Sequence, residues 1–404
     1  MTLSLPRFQD ITRSVTALVL VAAPIFGQAP QTPYAAIDRN AVNYAGPGRD
    51  AAEDLVGPEI KIGLLAPLSG PRRAEGESLL QAVELALQDE DAKPLPDSRR
   101  LALAARDENG PWGRAASEVV HLVMDDRAIA LITSSSGGAA HLAEQVANKI
   151  GVPVLTLSAD STTTQINLPW IFRLGPTERE EAREFAKNIY LHRRLKRVVL
   201  VTDSDHDGRV GSEDFEKVAR EFSPDTIRAT VPVRVAADGT VLNAPSVVQG
   251  ILAEKPEALI FWTGPETAAE LVGPIRASQP SVPIYLCRKA TQGKNANVSR
   301  KPCPKCPEVI GGVWTVAGDS PAGAARANFE RRLQERTPSA PSVAAAQAYD
   351  AVRLIAAALR KAGPNRARLR DALAETQNFP GTSGLISFDH AGNDLSTVTL
   401  VTLR

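Results

Sequence analysis

Residues 128–160 read AIALITSSSGGAAHLAEQVANKIGVPVLTLSAD and contain one complete strand–helix–strand unit. The stretches 128–133 and 152–157 are short apolar runs, which is the pattern of fully buried strands. Between them, residues 139–150 carry apolar side chains at helical spacing. Two buried strands joined through a helix predict a parallel pair with the helix packed on one face of the sheet.

The same alternation continues on both sides of this unit. Strands are predicted at 60–65, 101–105, 197–202, 258–262, 282–286 and 309–315. Helices are predicted at 77–89, 115–124, 177–190, 266–277, 321–336, 343–360 and 366–375, and short strands at 385–388 and 397–402. This succession predicts an α/β fold with parallel sheets covered by helices on both faces.

Composition limits the class of protein. The chain has 404 residues, more than one ordinary core supports, so two domains are expected. The 46 Lys and Arg balance the 46 Asp and Glu, which argues against a nucleic-acid partner. The three cysteines are too few for a scaffold built on disulfides.

The first residues predict the cellular compartment. Arg7 and Arg13 precede an apolar run at 15–26, and the small residues Gly27 and Ala29 follow it. This order is typical of a secretory signal peptide, here 1–29, and the run is short for a membrane span. An uncleaved anchor is the alternative. We expect a periplasmic or secreted protein without stable membrane insertion, whose residues 30–57 form an extended arm.

Several segments resemble one family in their order and spacing. They are IKIGLLAPLSGPRRAEG at 60–76, the serine-rich loop and VPVLTLSAD within 132–160, WIFRLGPTE at 170–178, RVVLVTDSDHDG at 197–208, AYDAVRLIAAAL at 348–359 and FPGTSGLISFDHAGND at 379–394. Together they resemble the type I periplasmic solute-binding proteins. The nearest branch is the leucine/isoleucine/valine-binding group that serves ABC transporters.

The resemblance implies two doubly wound α/β lobes joined by three crossovers. One lobe is expected at 58–174 with 318–386, and the other at 175–317 with 387–404. Parallel strands place ligands beyond their carboxyl ends, and two such ends facing each other form a cleft. The implied function is capture of a small polar ligand by hinge closure, with an ABC permease as partner, no cofactor and no catalysis.

Candidate ligand-binding residues follow two strands of the first lobe. Ser134, Ser135 and Ser136 stand between a strand and a helix, where hydroxyls and a helix N-terminus favour an anion. The resemblance implies a ligand carboxylate there. Ala159, Asp160 and Ser161 follow the next strand, and Asp160 departs from the family pattern. Ordinary helix capping is the alternative for both groups.

Four further positions depart from the family or extend its site. Glu75 stands where many relatives have an aromatic residue, and Asp207 where tyrosine is common. Arg288 occupies the position of the acidic group that binds a ligand ammonium. A guanidinium there opposes an ammonium, so the clamp for leucine-like amino acids is expected to be incomplete. Glu266 is a carboxylate that could replace it, or simply a favourable charge at a helix start.

Two motifs indicate functions that the family resemblance does not imply. Asp203, Asp205, Asp207 and Asp214 match a calcium-loop spacing with Gly208 at the sixth position, although the twelfth is Asp rather than Glu. A polar loop between strand and helix is the alternative. Cys303 and Cys306 form a C-x-x-C motif without a nearby histidine for zinc. A single disulfide between Cys287 and Cys303 or Cys306 is expected in an oxidising compartment.

No enzyme motif supports a catalytic reading. G-x-S-x-G, H-E-x-x-H and Walker A sequences are absent from the chain. The five histidines are scattered, and His121, His141 and His192 are interpreted as surface or packing residues. The alternatives to transport are a ligand sensor of the same fold that signals to a regulator and, more remotely, a secreted hydrolase.

Overall fold

The structure is a computed structural model. It describes residues 48–49, 57–93, 95, 97–110, 113–165, 170–222, 227–236, 238–291, 300–302, 312–318, 323–337 and 341–403. The predicted signal peptide and nearly all of the predicted arm lie outside these residues. No helix within these ranges is both long and apolar enough to cross a membrane.

Strands and helices alternate through most of the chain. The strands are β1 (Glu59–Ala66), β2 (Arg100–Asp107), β3 (Ala130–Thr133), β4 (Val154–Thr156), β5 (Ile171–Arg173), β6 (Val198–Asp203), β7 (Ile227–Val233), β8 (Ala258–Trp262), β9 (Ile284–Leu286), β10 (Arg300–Pro302), β11 (Val313–Gly318), β12 (Phe379–Gly381), β13 (Gly384–Ile386) and β14 (Val398–Leu403). The helices are α1 (Arg73–Asp91), α2 (Arg114–Met124), α3 (Gly137–Ile150), α4 (Glu178–Ala186), α5 (His206–Phe222), α6 (Ala244–Ala253), α7 (Pro265–Ser278), α8 (Ala324–Gln334), α9 (Val343–Ala362) and α10 (Arg366–Ala374).

The first sheet has five parallel strands in the order β2-β1-β3-β4-β5. Ile62 lies beside Leu103 of one neighbouring strand and Ala130 of the other. Side chains of α1, α8, α9 and α10 form one buried cluster with this sheet, and those of α2 and α3 form another. We call this sheet and these helices the first lobe. The late helices α8 to α10 therefore return to the sheet formed by the earliest strands.

The second sheet has seven strands in the order β10-β14-β11-β9-β8-β6-β7. Its central strands are parallel, and β14 runs antiparallel to both β10 and β11. Helices α4, α5, α6 and α7 share its buried core, which includes Phe185, Phe215, Trp262 and Tyr285. We call this sheet and these helices the second lobe. The doubly wound α/β fold predicted from the sequence is confirmed.

Two passages of the chain between the lobes run side by side. The backbone of Arg173, at the end of β5, donates to the Gly392 carbonyl at 2.8 Å and accepts from Asp394 N–H at 3.2 Å. Gly175 N–H donates to the Asp394 carboxylate at 3.0 Å. The buried Arg173 guanidinium also binds the Asn393 side chain and the Asp160 carbonyl. We call residues 173–175 and 392–394 the hinge seam.

Strand β7 and helix α6 escape prediction from the sequence, as do the three-residue strands β5, β10 and β12. Along β7 half-buried and exposed side chains alternate up to the buried Val233, and the strand contains Pro232. It lies at the edge of its sheet, where proline is tolerated and no continuous apolar run is required. Helix α6 buries only Val248 and Ile251. The weak burial of β7 leaves a weak apolar pattern. Helix α6, in contrast, carries Val247, Val248, Ile251 and Leu252 at helical spacing, so its pattern was present in the sequence and was overlooked.

Candidate functional site

A cleft opens between the lobes, at the carboxyl ends of their parallel strands. Its cavity volume is about 40 Å³, and the empty space in and around it, including space open to solvent, is about 520 Å³. One part of its wall is apolar or small: Leu157, Ala159, Cys287, Val343 and Ala344. The polar part consists of Ser135, Glu178, Glu181, Asp207, Arg288, Lys289 and Gln347. Both lobes contribute, so the wall is complete only when the lobes face each other.

The three serines of the predicted anion loop have different roles. Ser136 caps α3, where its hydroxyl accepts from Ala139 N–H at 3.3 Å. Ser134 is buried and donates to the Glu108 carboxylate at 2.6 Å. Ser135 lines the cleft and donates to Glu75. The structure thus places one serine on the cleft, while its two neighbours hold the loop.

Glu75 lies behind this loop in a charged network. The Arg72 guanidinium binds Glu75 at 2.9 Å and Glu108 at 3.0 Å. Burial raises the pKa of Glu108 to about 7, outweighing the opposing effect of the Arg72 charge. Glu75 touches Ser135 but is not among the residues on the cleft wall. It supports the loop from the first lobe.

The side chain of Asp207, in the second lobe, contacts the first lobe. Its Oδ1 accepts from Gly137 N–H, at the N-terminus of α3, over 2.9 Å. Its Oδ2 accepts from the Lys289 ammonium at 2.8 Å. Burial opposes ionisation, but the Lys289 charge outweighs it and holds the pKa of Asp207 below its usual value. A carboxylate of the chain itself therefore occupies the helix N-terminus that the serine loop presents.

Arg288 is paired within its own lobe. Its guanidinium donates to the Glu181 carboxylate and to the Pro176 carbonyl, and its backbone N–H donates to Glu181 at 3.0 Å. The Glu181 side chain is almost fully buried. Arg288 lines the cleft as expected, and Glu181 neutralises its charge. The opposition between Arg288 and a ligand ammonium stays a prediction.

Glu178 is one of several cleft residues that sequence reasoning missed. It begins α4, whose start is fixed by a capping box between Thr177 and Glu180. Its Oε2 is buried and has no hydrogen-bond partner in the described part of the chain. Burial, reinforced by the charges of Asp207 and Asp160, raises the pKa of Glu178 well above its usual range. A buried carboxyl group without a partner favours its neutral form and is costly to leave unsatisfied.

The loop after β4 joins the lobes beside the cleft. Ala159 lines the cleft, and its carbonyl accepts from Glu178 N–H at 2.9 Å. Ser161 donates to the buried Asp214 of α5. Asp160 lies between two histidines: His206 Nε2 of the second lobe at 2.8 Å and His141 Nε2 of the first at 3.2 Å. His141, interpreted from the sequence as a surface or packing residue, is half-buried, and its ring contacts this carboxylate.

Comparisons with known proteins agree with this architecture. The family model described as "Periplasmic binding protein" matches residues 59–401. This chain belongs to the periplasmic binding protein family. The family resemblance stated from the sequence is thereby confirmed.

Relatives of this periplasmic binding protein are distant. A Leu/Ile/Val-binding protein homolog of Brucella abortus is 30% identical over 132 residues, which is 32% of each chain. The match thus spans about a third of the length of that curated relative. The Streptococcus pneumoniae branched-chain amino acid binding protein LivJ, solved with isoleucine, is 23% identical with a TM-score of 0.70, covering 86% of this chain and 96% of its own. An R. palustris solute-binding protein solved with benzoate is 21% identical with a TM-score of 0.72, covering 86% and 93%.

Two predicted sites do not form in this periplasmic binding protein. Glu266 is exposed at the start of α7 and is not on the cleft wall. Asp207 and Asp214 of the proposed calcium loop both lie on α5, seven residues and therefore about 10 Å apart along the axis. Asp203 instead accepts from Gly264 N–H, and Asp205 accepts from Gly208 N–H. Since calcium ligands lie about 2.4 Å from their ion, these acids do not share one ion.

The predicted disulfide concerns residues that are only partly described. Cys287 is buried at the cleft, and its thiol donates to the Thr263 carbonyl at 3.6 Å. Burial raises the pKa of this thiol to about 12. Cys303 and Cys306 lie outside the described residues, so the pairing with Cys287 stays a prediction.

Proposed function

We propose that this protein is exported, captures a small polar ligand between its two lobes by hinge closure, and delivers it to an ABC-type permease. Family membership supports binding as the function, and no catalytic role is assigned. Its relatives include a Leu/Ile/Val-binding protein homolog and proteins solved with isoleucine or benzoate, which supports a ligand of that size. The side chains of this cleft further restrict which functional groups the ligand can carry.

The observation that carries the proposal is the buried carboxyl group of Glu178. Glu178 lines the cleft, and its buried Oε2 has no hydrogen-bond partner in the described part of the chain. Leaving such a group unsatisfied costs about 1–3 kcal/mol, which a ligand with an N–H or O–H group recovers on binding. We therefore assign Glu178 as the acceptor for an ammonium, amide or hydroxyl group of the ligand.

The charges of the cleft favour a ligand that carries an amino group over a ligand that brings a further carboxylate. Three acidic side chains, Glu178, Glu181 and Asp207, face the two cations Arg288 and Lys289. Glu181 and Asp207 already neutralise these cations. A ligand ammonium would restore the charge of Glu178, whereas an additional anion would meet cations that are already paired. The apolar wall around Leu157 and Val343 would take an aliphatic or aromatic side chain.

Calorimetry with matched variants tests this assignment. The purified protein is titrated with leucine, isoleucine, valine, their amides and benzoate, after refolding to remove retained ligand. We expect an amine or amide to bind, and Glu178→Gln to weaken it at least tenfold. Glu184→Gln, on the same helix and paired with Lys187 at the surface, is the control and should bind normally.

Proton release on ligand binding gives a second test of the role of Glu178. If Glu178 is neutral in the empty cleft and ionised beside an ammonium, binding releases a proton and its heat depends on the buffer. Equal affinity of Glu178→Gln and the unaltered protein would contradict the role of Glu178. A native preparation without any retained or titratable small molecule would contradict ligand capture itself. Delivery to a permease is tested separately, by ligand uptake in cells with and without this gene.

A further inference from the structure

His141, Asp160 and His206 form a compact cluster beside the cleft. His141 is on α3, Asp160 follows β4, and His206 begins α5. One nitrogen or oxygen atom from each lies within 4.8 Å of the other two. The imidazole rings are 5.4 Å apart and nearly perpendicular. Two imidazoles and a carboxylate are the donor set that zinc and its neighbours among the divalent transition metals prefer.

We propose that these three residues bind a divalent transition-metal ion, with zinc as the probe, and that this ion joins the two lobes. Ligand atoms about 2.0–2.1 Å from a tetrahedral ion lie about 3.3 Å from one another. Asp160 Oδ2 is 3.2 Å from His141 Nε2 and 2.8 Å from His206 Nε2. The side chains are therefore near their coordinating positions, and a water molecule would complete four ligands.

The surroundings orient these three groups as a metal site requires. His141 Nδ1 faces the buried Glu144 carboxylate at 3.0 Å, which fixes the ring with Nε2 toward Asp160 Oδ2 and toward the Thr162 hydroxyl, 2.8 Å away. An ion bound by Nε2 would replace this contact with Thr162. Carboxylates behind ligating histidines have this role in known metal sites. Asp160 Oδ1 accepts from Thr162 N–H at 2.8 Å and from its hydroxyl at 2.6 Å, so that Oδ2 remains for the ion.

Burial and access also agree with a site that loads from solvent. The Asp160 side chain is 1% exposed, whereas that of His206 is 38% exposed. An ion can therefore approach past His206 and reach a carboxylate held in the interior. Ion binding would also neutralise the buried Asp160 charge more fully than two imidazoles.

The site is split between the lobes, which gives the ion a mechanical effect. His141 and Asp160 belong to the first lobe and His206 to the second, so the three-ligand set exists only in the closed arrangement. The ion should stabilise closure, and a cleft ligand that favours closure should tighten ion binding by the same factor. This coupling rests on the proposed hinge closure, whereas ion binding by the closed protein does not.

Zinc calorimetry on chelator-treated protein without a histidine tag tests the site. A Cys303→Ser/Cys306→Ser background removes competing thiolates. We expect one ion per chain, and at least tenfold weaker binding in His141→Ala and in His206→Ala. His121→Ala is the control, because His121 is a half-exposed residue of α2 whose ion-pair partner among the described residues is the surface residue Asp125. It should bind zinc as the background does.

Cobalt absorption provides a measurement that needs no alanine variant. Co²⁺ in a tetrahedral site of two imidazoles and a carboxylate should give intense visible bands that Zn²⁺ abolishes. The site is disproved if the background protein binds no zinc, or if His206→Ala binds it unchanged. If zinc binds normally but small-angle scattering shows no compaction, only the coupling to hinge closure fails.

Discussion

The Asp207 carboxylate of the second lobe accepts a hydrogen bond from Gly137 N–H of the first lobe over 2.9 Å. This contact joins the lobes at the N-terminus of α3, where the positive end of the helix dipole favours an anion. The charge is supplied by the protein itself, with Lys289 as counter-ion. A ligand carboxylate must therefore bind beside Asp207 or displace it.

Gly137→Ala is expected to shift the protein toward an open arrangement. A methyl group at this position would lie 2.5 Å from Asp160 Oδ2 and 2.8 Å from Asp207 Oδ1, closer than carbon and oxygen approach. Gly138 is the matched control, because its nearest neighbour would be Ser136 Oγ at an ordinary 3.7 Å. Small-angle scattering should show a larger radius of gyration for Gly137→Ala alone. Equal radii for the two variants would contradict the prediction.

Asp207→Asn should lower the free energy of unfolding by about 2–3 kcal/mol, because it leaves the Lys289 ammonium without its closest carboxylate. Asp205→Asn is the control. Asp205 is half exposed and 3.5 Å from the same ammonium, so its charge should contribute less than about 0.5 kcal/mol. Urea unfolding measures both. Similar losses in the two variants would show that Asp207 has no special role.

Arg288→Met should lower the free energy of unfolding by about 3 kcal/mol, because the buried Glu181 carboxylate then keeps only the backbone N–H of residue 288. Adding Glu181→Gln should recover part of that loss. The double-mutant cycle should give a coupling energy of about 1–3 kcal/mol between these side chains. Additive effects would instead mean that each side chain acts independently.

Glu108→Gln should flatten the dependence of stability on pH. The pKa of Glu108 is raised to about 7 in the folded protein, so the folded state holds this proton more tightly than the unfolded state does. The contribution to stability is complete below pH of about 4.5 and is lost as pH rises through about 7, by up to about 3 kcal/mol.

Glu77→Gln is the control for the pH experiment. Glu77 is exposed on α1 and pairs with Arg73, in a surface position where charges contribute little. Unfolding measured from pH 4.5 to 8 should give parallel curves for this variant and the unaltered protein. A curve for Glu108→Gln parallel to both would show that Glu108 does not titrate in this range.

Periodicity was sufficient to predict parallel sheets covered by helices, because buried strands and amphipathic helices leave local patterns. The division into two lobes came from the family resemblance. The serine loop was also predictable, since it lies between a strand and a helix. The partners of the charged residues could not be predicted from the sequence. Glu181 lies 107 positions before Arg288, on a helix that looks like any other acidic N-terminus. The His141–Asp160–His206 cluster similarly depends on how two lobes meet, which no local pattern encodes.

The hinge seam limits how the two lobes can move. Residues 173–175 and 392–394 are hydrogen-bonded to each other through their backbones. The Arg173 guanidinium also binds Asn393 and the carbonyl of Asp160, so it connects both segments to the loop after β4. Two parallel connections that are hydrogen-bonded to each other act as a single hinge axis. They resist sliding and twisting but permit rotation about one axis. The Asp207–Gly137 contact and the histidine cluster would then separate together along a single arc, so one interlobe distance should report the state of both.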